Sequence, residues 1–133
     1  MTLSDIRQWL RQELEWDREW FGTGKMDSTK RRAICLYHRK KGAANPIAVS
    51  GKKAMGYEII PLTLLLRWGD KAHEAEYRAK AIYEALVAGQ TEIDGRKAVW
   101  QAVYSWPTAL GTDGEGVYEY AIDFDLYIER GIE

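Results

Sequence analysis

The chain has 133 residues, the length of a single domain, and carries a formal net charge of −1 at pH 7. Its one cysteine, Cys35, excludes an internal disulfide and the paired-cysteine sites that hold zinc or iron–sulfur clusters. No apolar run reaches the length of a membrane span, and the first residues lack the pattern of a signal peptide. We therefore expect a protein made in a reducing cytoplasm, with no membrane partner.

Charged and aromatic residues are unevenly used along the chain. Residues 25–53 contain nine Lys or Arg and one acid, Asp27, whereas residues 113–133 contain seven acids and one base, Arg130. The chain also has 6 Trp and 8 Tyr against 2 Phe, and Trp and Tyr suit interfaces as well as cores. Opposite charges on separate segments favour head-to-tail recognition between copies of the chain.

An amphipathic helix is predicted over residues 3–21. Thr2 and Asp5 have the spacing of a capping box at its start. Its first apolar stripe consists of Leu3, Ile6, Leu10 and Leu14. A second stripe, about 100° around the helix, consists of Trp9, Trp16 and Trp20. Two interpretations of this tryptophan stripe stay open: further packing on the core, or contact with another chain.

The middle of the chain alternates strands with glycine-rich breaks. Residues 31–38 are predicted to form a strand, residues 39–56 a long basic loop, and residues 57–68 a second strand. Pro61 indicates a bulge or an edge position in that second strand. Asp70 is the expected cap of a helix over residues 71–88, whose buried stripe is Ala75, Ala79, Ile82 and Leu86.

The last third of the chain contains two more predicted strands. Asp94-Gly95 is a hairpin signal, and residues 98–104 and 117–129 follow as strands with a turn between them. The element order is therefore α–β–β–α–β–β. It predicts one α+β domain over residues 1–133, with a four-stranded, mostly antiparallel sheet and both helices packed on one face.

Candidate chemistry is sparse. His73 with Glu74 and Glu76 lacks the second histidine of a helical zinc site, and a hydrolase using them would lack a nucleophile–base pair. The Asp113–Gly116 segment lacks the alternating oxygen ligands of a calcium loop, so a solvated turn is expected. Cys35 alternates with apolar neighbours and is expected to be a buried thiol. We predict a protein that is not an enzyme and needs no cofactor or metal.

The basic loop has two open interpretations. Its cations can neutralise phosphates, which makes a small nucleic-acid-binding module the alternative function. However, residues 39–55 contain no aromatic side chain to stack a base, and the chain as a whole is slightly acidic. A flexible arm that becomes ordered against an acidic neighbour fits these residues better.

Three segments together resemble a known family. They are the strand and helix pieces Leu64–Gly69, Glu74–Glu76 and Ala81–Leu86, the turn Pro107–Asp113, and the final strand Tyr118–Ile128. In order and length they are similar to the bacteriophage minor capsid and tail-terminator (tail-completion) family, and with the first helix the resemblance covers most of the chain.

The resemblance implies a mechanical role in the virion. Such proteins form a ring, usually of six subunits, on the head-proximal end of the tail tube, where they stop tube polymerisation and join the filled head. The implied partners are other copies of the chain, the tail tube protein and a head-completion protein. As an alternative to a subunit contact, the basic loops line the lumen of the ring, where DNA passes without sequence readout. The implied locations are the virion and, during assembly, the host cytoplasm.

A closed ring needs two different patches that meet. We predict that the basic loop of one subunit meets the acidic final strand of the next, with the tryptophans of the first helix as a further contact surface. The predicted interface residues are Arg39, Lys40, Lys41, Lys52, Lys53, Glu119, Asp123, Asp125, Trp9, Trp16 and Trp20.

Overall fold

A computed structural model describes residues 1–40 and 56–130 as two helices and one seven-stranded sheet. The helices are α1 (Leu3–Leu14) and α2 (Ala72–Leu86). The strands are β1 (Phe21–Thr23), β2 (Arg32–His38), β3 (Tyr57–Trp68), β4 (Gln90–Ile93), β5 (Arg96–Ala102), β6 (Thr108–Thr112) and β7 (Tyr118–Glu129). Their order in the sheet is β1-β2-β3-β7-β5-β4, with β6 paired to the first part of β7.

One face of the sheet carries the core. Alternate residues of the two long central strands point to this face, and the antiparallel register pairs Leu64 with Ile122 and Leu62 with Phe124. Both helices pack on the same face and complete a single buried cluster, to which α1 adds Ile6 and Leu10. Each such side chain contributes roughly 1.5–3 kcal/mol by leaving water. The prediction of an α+β fold with its helices on one face is confirmed.

The first helix is shorter than predicted. It begins with the expected capping box, because Thr2 and Asp5 exchange backbone and side-chain hydrogen bonds. It ends at Leu14, however, since Glu15 takes a left-handed conformation with φ of 57° and donates its N–H to the carbonyl of Arg11. A short 3-10 turn (Arg18–Trp20) then leads into β1, which pairs in parallel with β2.

The predicted four-stranded sheet and its element order are wrong, because three short strands were missed. Strands β1 and β4 have only three and four residues, too few to show an alternating pattern. Strand β6 lies in the segment predicted to be a turn, and all five of its residues are exposed, so it carries no buried apolar face. The predicted strand over residues 98–104 begins two residues earlier, at Arg96, and ends at Ala102.

Other local predictions are confirmed. The stripe of α2 is buried as expected, and Asp94-Gly95 closes the β4–β5 hairpin with positive φ angles of 53° and 77°. The expected cap of α2 is wrong, because Lys71 occupies that position and no side chain caps the helix. Pro61 sits in the central strand β3 opposite Arg39, directly after β2 ends. Its carbonyl accepts the N–H of Arg39, but Pro61 has no N–H to donate in return, so the β2–β3 ladder stops there.

Candidate functional site

The second face of the sheet, called the open face below, is organised around Arg67. Among the described residues Arg67 is the only charged residue that is buried, at 4% exposure. Its guanidinium lies 2.9 Å from carboxylate oxygens of both Asp113 and Glu119, and its Nε donates to the carbonyl of Lys30. Burial alone would lower the pKa of Arg67, but the two carboxylates outweigh it and raise that pKa.

A second arginine, Arg39, holds the end of β2 to the sheet. Its guanidinium donates to the carbonyls of Leu62 and Phe124, at 2.8 and 3.3 Å, and pairs with Asp125. Its backbone N–H also donates to the carbonyl of Pro61 at 2.9 Å. The first residue of the predicted basic loop is therefore anchored to its own subunit across both central strands.

The three predicted interface acids lie together on the open face, and each has a partner in the same chain. Glu119 pairs with Arg67, Asp125 with Arg39, and Asp123 accepts a hydrogen bond from the Thr63 hydroxyl at 2.6 Å. Their role toward a neighbouring subunit stays a prediction. Any such contact must add to these internal bonds or exchange with them.

The predicted basic side chains are only partly described. Lys40 is exposed directly after Arg39. The remaining members, Lys41, Lys52 and Lys53, lie outside the described residues together with most of the predicted loop 39–56, so the two interpretations of that loop stay open.

The three predicted interface tryptophans are half-buried and pack against the core. Trp9 stacks on Trp100 with 5.6 Å between ring centroids. Trp16 and Trp20 lie beyond the end of α1 and flank Trp68, at 5.8 and 4.8 Å. Of the two interpretations left open by the sequence, the structure shows packing within the chain, and a role between chains stays a prediction.

An exposed apolar surface that sequence reasoning missed lies at the β5–β6 connection. It comprises Val103, Tyr104, Trp106 and Leu110, called the Trp106 patch below, and each of the four is at least 42% exposed. Strand β6 adds uncharged, exposed residues, and among the described residues only β7 pairs with it. The sequence signal was the density of apolar residues in a segment that also carries turn residues.

The Trp106 patch is held in place from below by α2. The Tyr83 ring lies 6.0 Å from that of Trp106, and the Tyr83 hydroxyl donates to the carbonyl of Tyr104 at 3.2 Å. The ammonium of Lys80 lies 5.6 Å from the Trp106 ring centroid, within cation–π range. These contacts fix the patch while leaving about half of the Trp106 surface in solvent.

The β6–β7 turn has a structural explanation in place of a metal-binding one. Asp113 accepts hydrogen bonds from the backbone N–H groups of Val117 and Glu115, at 3.0 and 2.8 Å. These bonds, followed by the contact with Arg67, lower the pKa of Asp113. The carboxylate therefore closes the turn and joins it to β3.

The remaining chemical candidates are dispersed. His73 is exposed on α2, and Cys35 is buried at 1% exposure beside Tyr37, whose pKa is raised by burial and by that thiol. Within residues 1–40 and 56–130, no three His, Cys, Asp or Glu side chains are grouped to hold a metal ion. The helices of these same ranges include none with the length and apolarity needed to cross a membrane.

Comparison with known proteins identifies one family. A family model described as bacteriophage tail terminator protein matches residues 17–130, a span that runs from the 3-10 turn through β7 and leaves out α1. No curated protein matches the chain.

Proposed function

Because the chain belongs to the bacteriophage tail terminator family, we propose that it forms a six-membered ring on the head-proximal end of a tail tube. The ring stops tube polymerisation and presents the surface that joins the head. The family match carries this proposal, since it spans every strand and α2. The protein acts by contact between chains, as a component of the virion assembled in the host cytoplasm, and performs no catalysis.

A ring of identical subunits needs two different surfaces that meet around a rotation axis. The Trp106 patch and the outer edge of β6 suit one of them, with a second copy of the chain as occupant. An edge strand with exposed, uncharged residues offers unpaired backbone groups, and Trp and Tyr provide most of the binding energy in many interfaces. The apolar composition of this surface supports a contact that is buried once the ring closes.

The predicted charge contact supplies a second, separate element of the proposed ring. Lys52 and Lys53 of one subunit face the acids of the open face of the next, where Asp123 keeps only a neutral hydroxyl partner among its described bonds. Such charges set register and on-rate more than affinity. Replacing both lysines with Glu should weaken assembly at low salt, while Lys71→Glu with Lys97→Glu, an equal change of charge elsewhere, should not.

Tube polymerisation in the purified system tests the proposal. The tail tube protein of the same genome is polymerised with and without this chain, and tube lengths are measured by negative-stain electron microscopy. We expect shorter tubes with a density on one end when the chain is present. Equal length distributions and bare ends would overturn the proposed function.

Variants of the Trp106 patch test whether it contributes to tube capping independently of folding. Trp106→Glu with Leu110→Glu should abolish tube capping, whereas Tyr77→Glu, on a still more exposed aromatic of α2, should leave it intact. Circular dichroism of both variants checks that the fold is kept. Capping by the first variant at the wild-type concentration would exclude this patch from the ring contact.

A further inference from the structure

Basic side chains from distant parts of the chain converge beside α1. Arg7 and Arg11 of α1, Arg18 of the 3-10 turn, and Lys30 before β2 line an open groove of about 810 Å³, which we call the arginine groove. Of the residues that the structure describes, two acids, Asp17 and Glu19, line the same groove. The groove is thus positively charged in a chain whose net charge is −1.

The arginine groove continues into a second basic groove of about 620 Å³. The two share Glu19 and Lys30, and the second adds Arg31, Arg32 and Lys71 against Asp70 and Glu74. One aromatic residue, Trp20, also lines the second groove. The positive surface therefore forms a continuous track around one end of the sheet.

The arginines of the first groove are available to an external anion. Within the described ranges, no carboxylate forms an ion pair with Arg7, Arg11 or Arg18. Lys30 is held in place because its ammonium donates to the backbone carbonyl of Glu19. By contrast, Arg31 of the second groove already pairs with Asp70 at 3.7 Å, and Arg32 lies over the Trp68 ring.

We propose that the arginine groove binds the phosphate backbone of a nucleic acid. Guanidinium groups match phosphate oxygens in a bidentate geometry, and Arg7 and Arg11 stand one helical turn apart, about 6 Å along α1. Two aromatic residues line the described part of the track, Trp20 and the buried Phe21, and they provide no row of stacking platforms, so recognition is independent of sequence. Binding is an equilibrium property of the purified chain and does not rest on ring formation.

A neighbouring copy is a weaker occupant than a nucleic acid. The acids of the open face, which are the predicted contact acids, are engaged inside their own chain by Arg67, Arg39 and Thr63. These three acids of another copy would have to leave such bonds to reach the groove, whereas backbone phosphates bring free charge at regular spacing. The salt dependence of binding distinguishes the two, because phosphate contacts release condensed counterions.

The test compares a groove variant with a charge-matched control. Binding of a fluorescent 20-base-pair duplex is measured by anisotropy between 50 and 200 mM NaCl for the wild type, for Arg7→Gln/Arg11→Gln/Arg18→Gln, and for Lys80→Gln/Lys97→Gln/Arg130→Gln, whose three side chains lie outside both grooves. Each phosphate contact adds about 0.9 to the slope of log affinity against log salt. The groove variant lacks three phosphate contacts, so its slope should be smaller by about 2.7. Between 50 and 200 mM NaCl the affinity of the wild type should therefore fall about 40-fold further than that of the variant. The control should keep the wild-type slope.

Neutralising the two acids of the groove should have the opposite effect on duplex binding. Asp17→Asn with Glu19→Gln should tighten duplex binding, because neither side chain makes a hydrogen bond or ion pair within the described residues that the substitution would break. An unchanged slope in the groove variant overturns the proposal, and so does a loss of equal size in the control. Loss of tube capping with duplex binding intact would instead assign the groove to a protein partner.

Discussion

The two faces of the sheet are stabilised by different physics. The helix-covered face is closed by apolar side chains, with Leu62, Leu64 and Phe124 fully buried. The open face is organised by Arg67 and Arg39, each of which bonds backbone carbonyls as well as carboxylates. The first face is complete within one subunit. The second presents half-exposed acids that are already bonded inside their own chain.

The aromatic clusters repeat this contrast. Trp68 is 2% exposed, with Trp20 edge-on at 4.8 Å and the Arg78 guanidinium 4.6 Å from its ring. Trp106 has similar neighbours, Tyr83 and Lys80, yet remains 51% exposed. Two tryptophans with alike partners thus differ chiefly in burial. We expect the first to stabilise the fold and the second to serve contact between chains.

The largest effect is expected on the helix-covered face. Trp68→Ala should lower the free energy of unfolding by about 3–5 kcal/mol, because it removes a buried ring and leaves a cavity between Trp16 and Trp20. Urea titration followed by circular dichroism measures this loss. A loss below about 1 kcal/mol would show that the tryptophan cluster packs too loosely to support the core.

The next effect is expected at the buried charge of the open face. Arg67→Met should cost about 2–3 kcal/mol, since Asp113 and Glu119 lose their shared cation while remaining about a quarter exposed to solvent. Combining it with Glu119→Gln should cost less than the sum of the two single changes. If the losses of unfolding free energy in this cycle, measured by urea titration, are strictly additive, Arg67 and Glu119 do not stabilise each other.

The contribution of the β6–β7 turn to the free energy of unfolding should depend on pH through Asp113. The pKa of Asp113 is lowered in the folded state, so its contribution to stability is present above the unfolded pKa of about 3.9 and is lost as pH falls through the lower folded value. The difference in unfolding free energy between wild type and Asp113→Asn should therefore shrink as pH is lowered from 5 to 2. Glu115→Gln, in the same turn, should retain the wild-type profile, and a constant difference for Asp113→Asn would refute the assignment.

The smallest effect on stability is expected at the exposed tryptophan. Trp106→Ala should change the free energy of unfolding by less than about 1 kcal/mol, because half of its ring surface is already in water. Thermal unfolding beside Trp68→Ala gives the comparison directly. Losses of similar size at the two positions would mean that burial does not divide the tryptophans into structural and contact residues.

The sequence predicted the parts of the fold that have a strong period. The alternation in β7 and the stripe of α2 identified both elements, since each buries one face against the core. The first helix was extended too far because Trp9, Trp16 and Trp20 also fit a helical spacing. Helix α1 ends because the backbone of Glu15 is left-handed, and the pattern of side chains in the sequence does not predict that conformation.

The candidate surfaces were less accessible to sequence reasoning. Charge counting found the acids of the final strand but not their partners, because Arg67 and Arg39 are brought to them by β3 and by the end of β2. The arginine groove was missed for the same reason, since Arg18 and Lys30 meet α1 only in the folded chain. Strand β6 is exposed at every residue and therefore lacks the apolar alternation that marks a strand.

The most direct test of the structural role is the tail length of particles that lack this chain. Its gene is deleted from the phage or prophage that carries it, and lysates are imaged by negative-stain electron microscopy. We expect overlong tubes without attached heads, restored to normal particles by the wild-type chain and not by the Trp106→Glu/Leu110→Glu variant. Tails of normal length joined to heads in the deletion strain would contradict it.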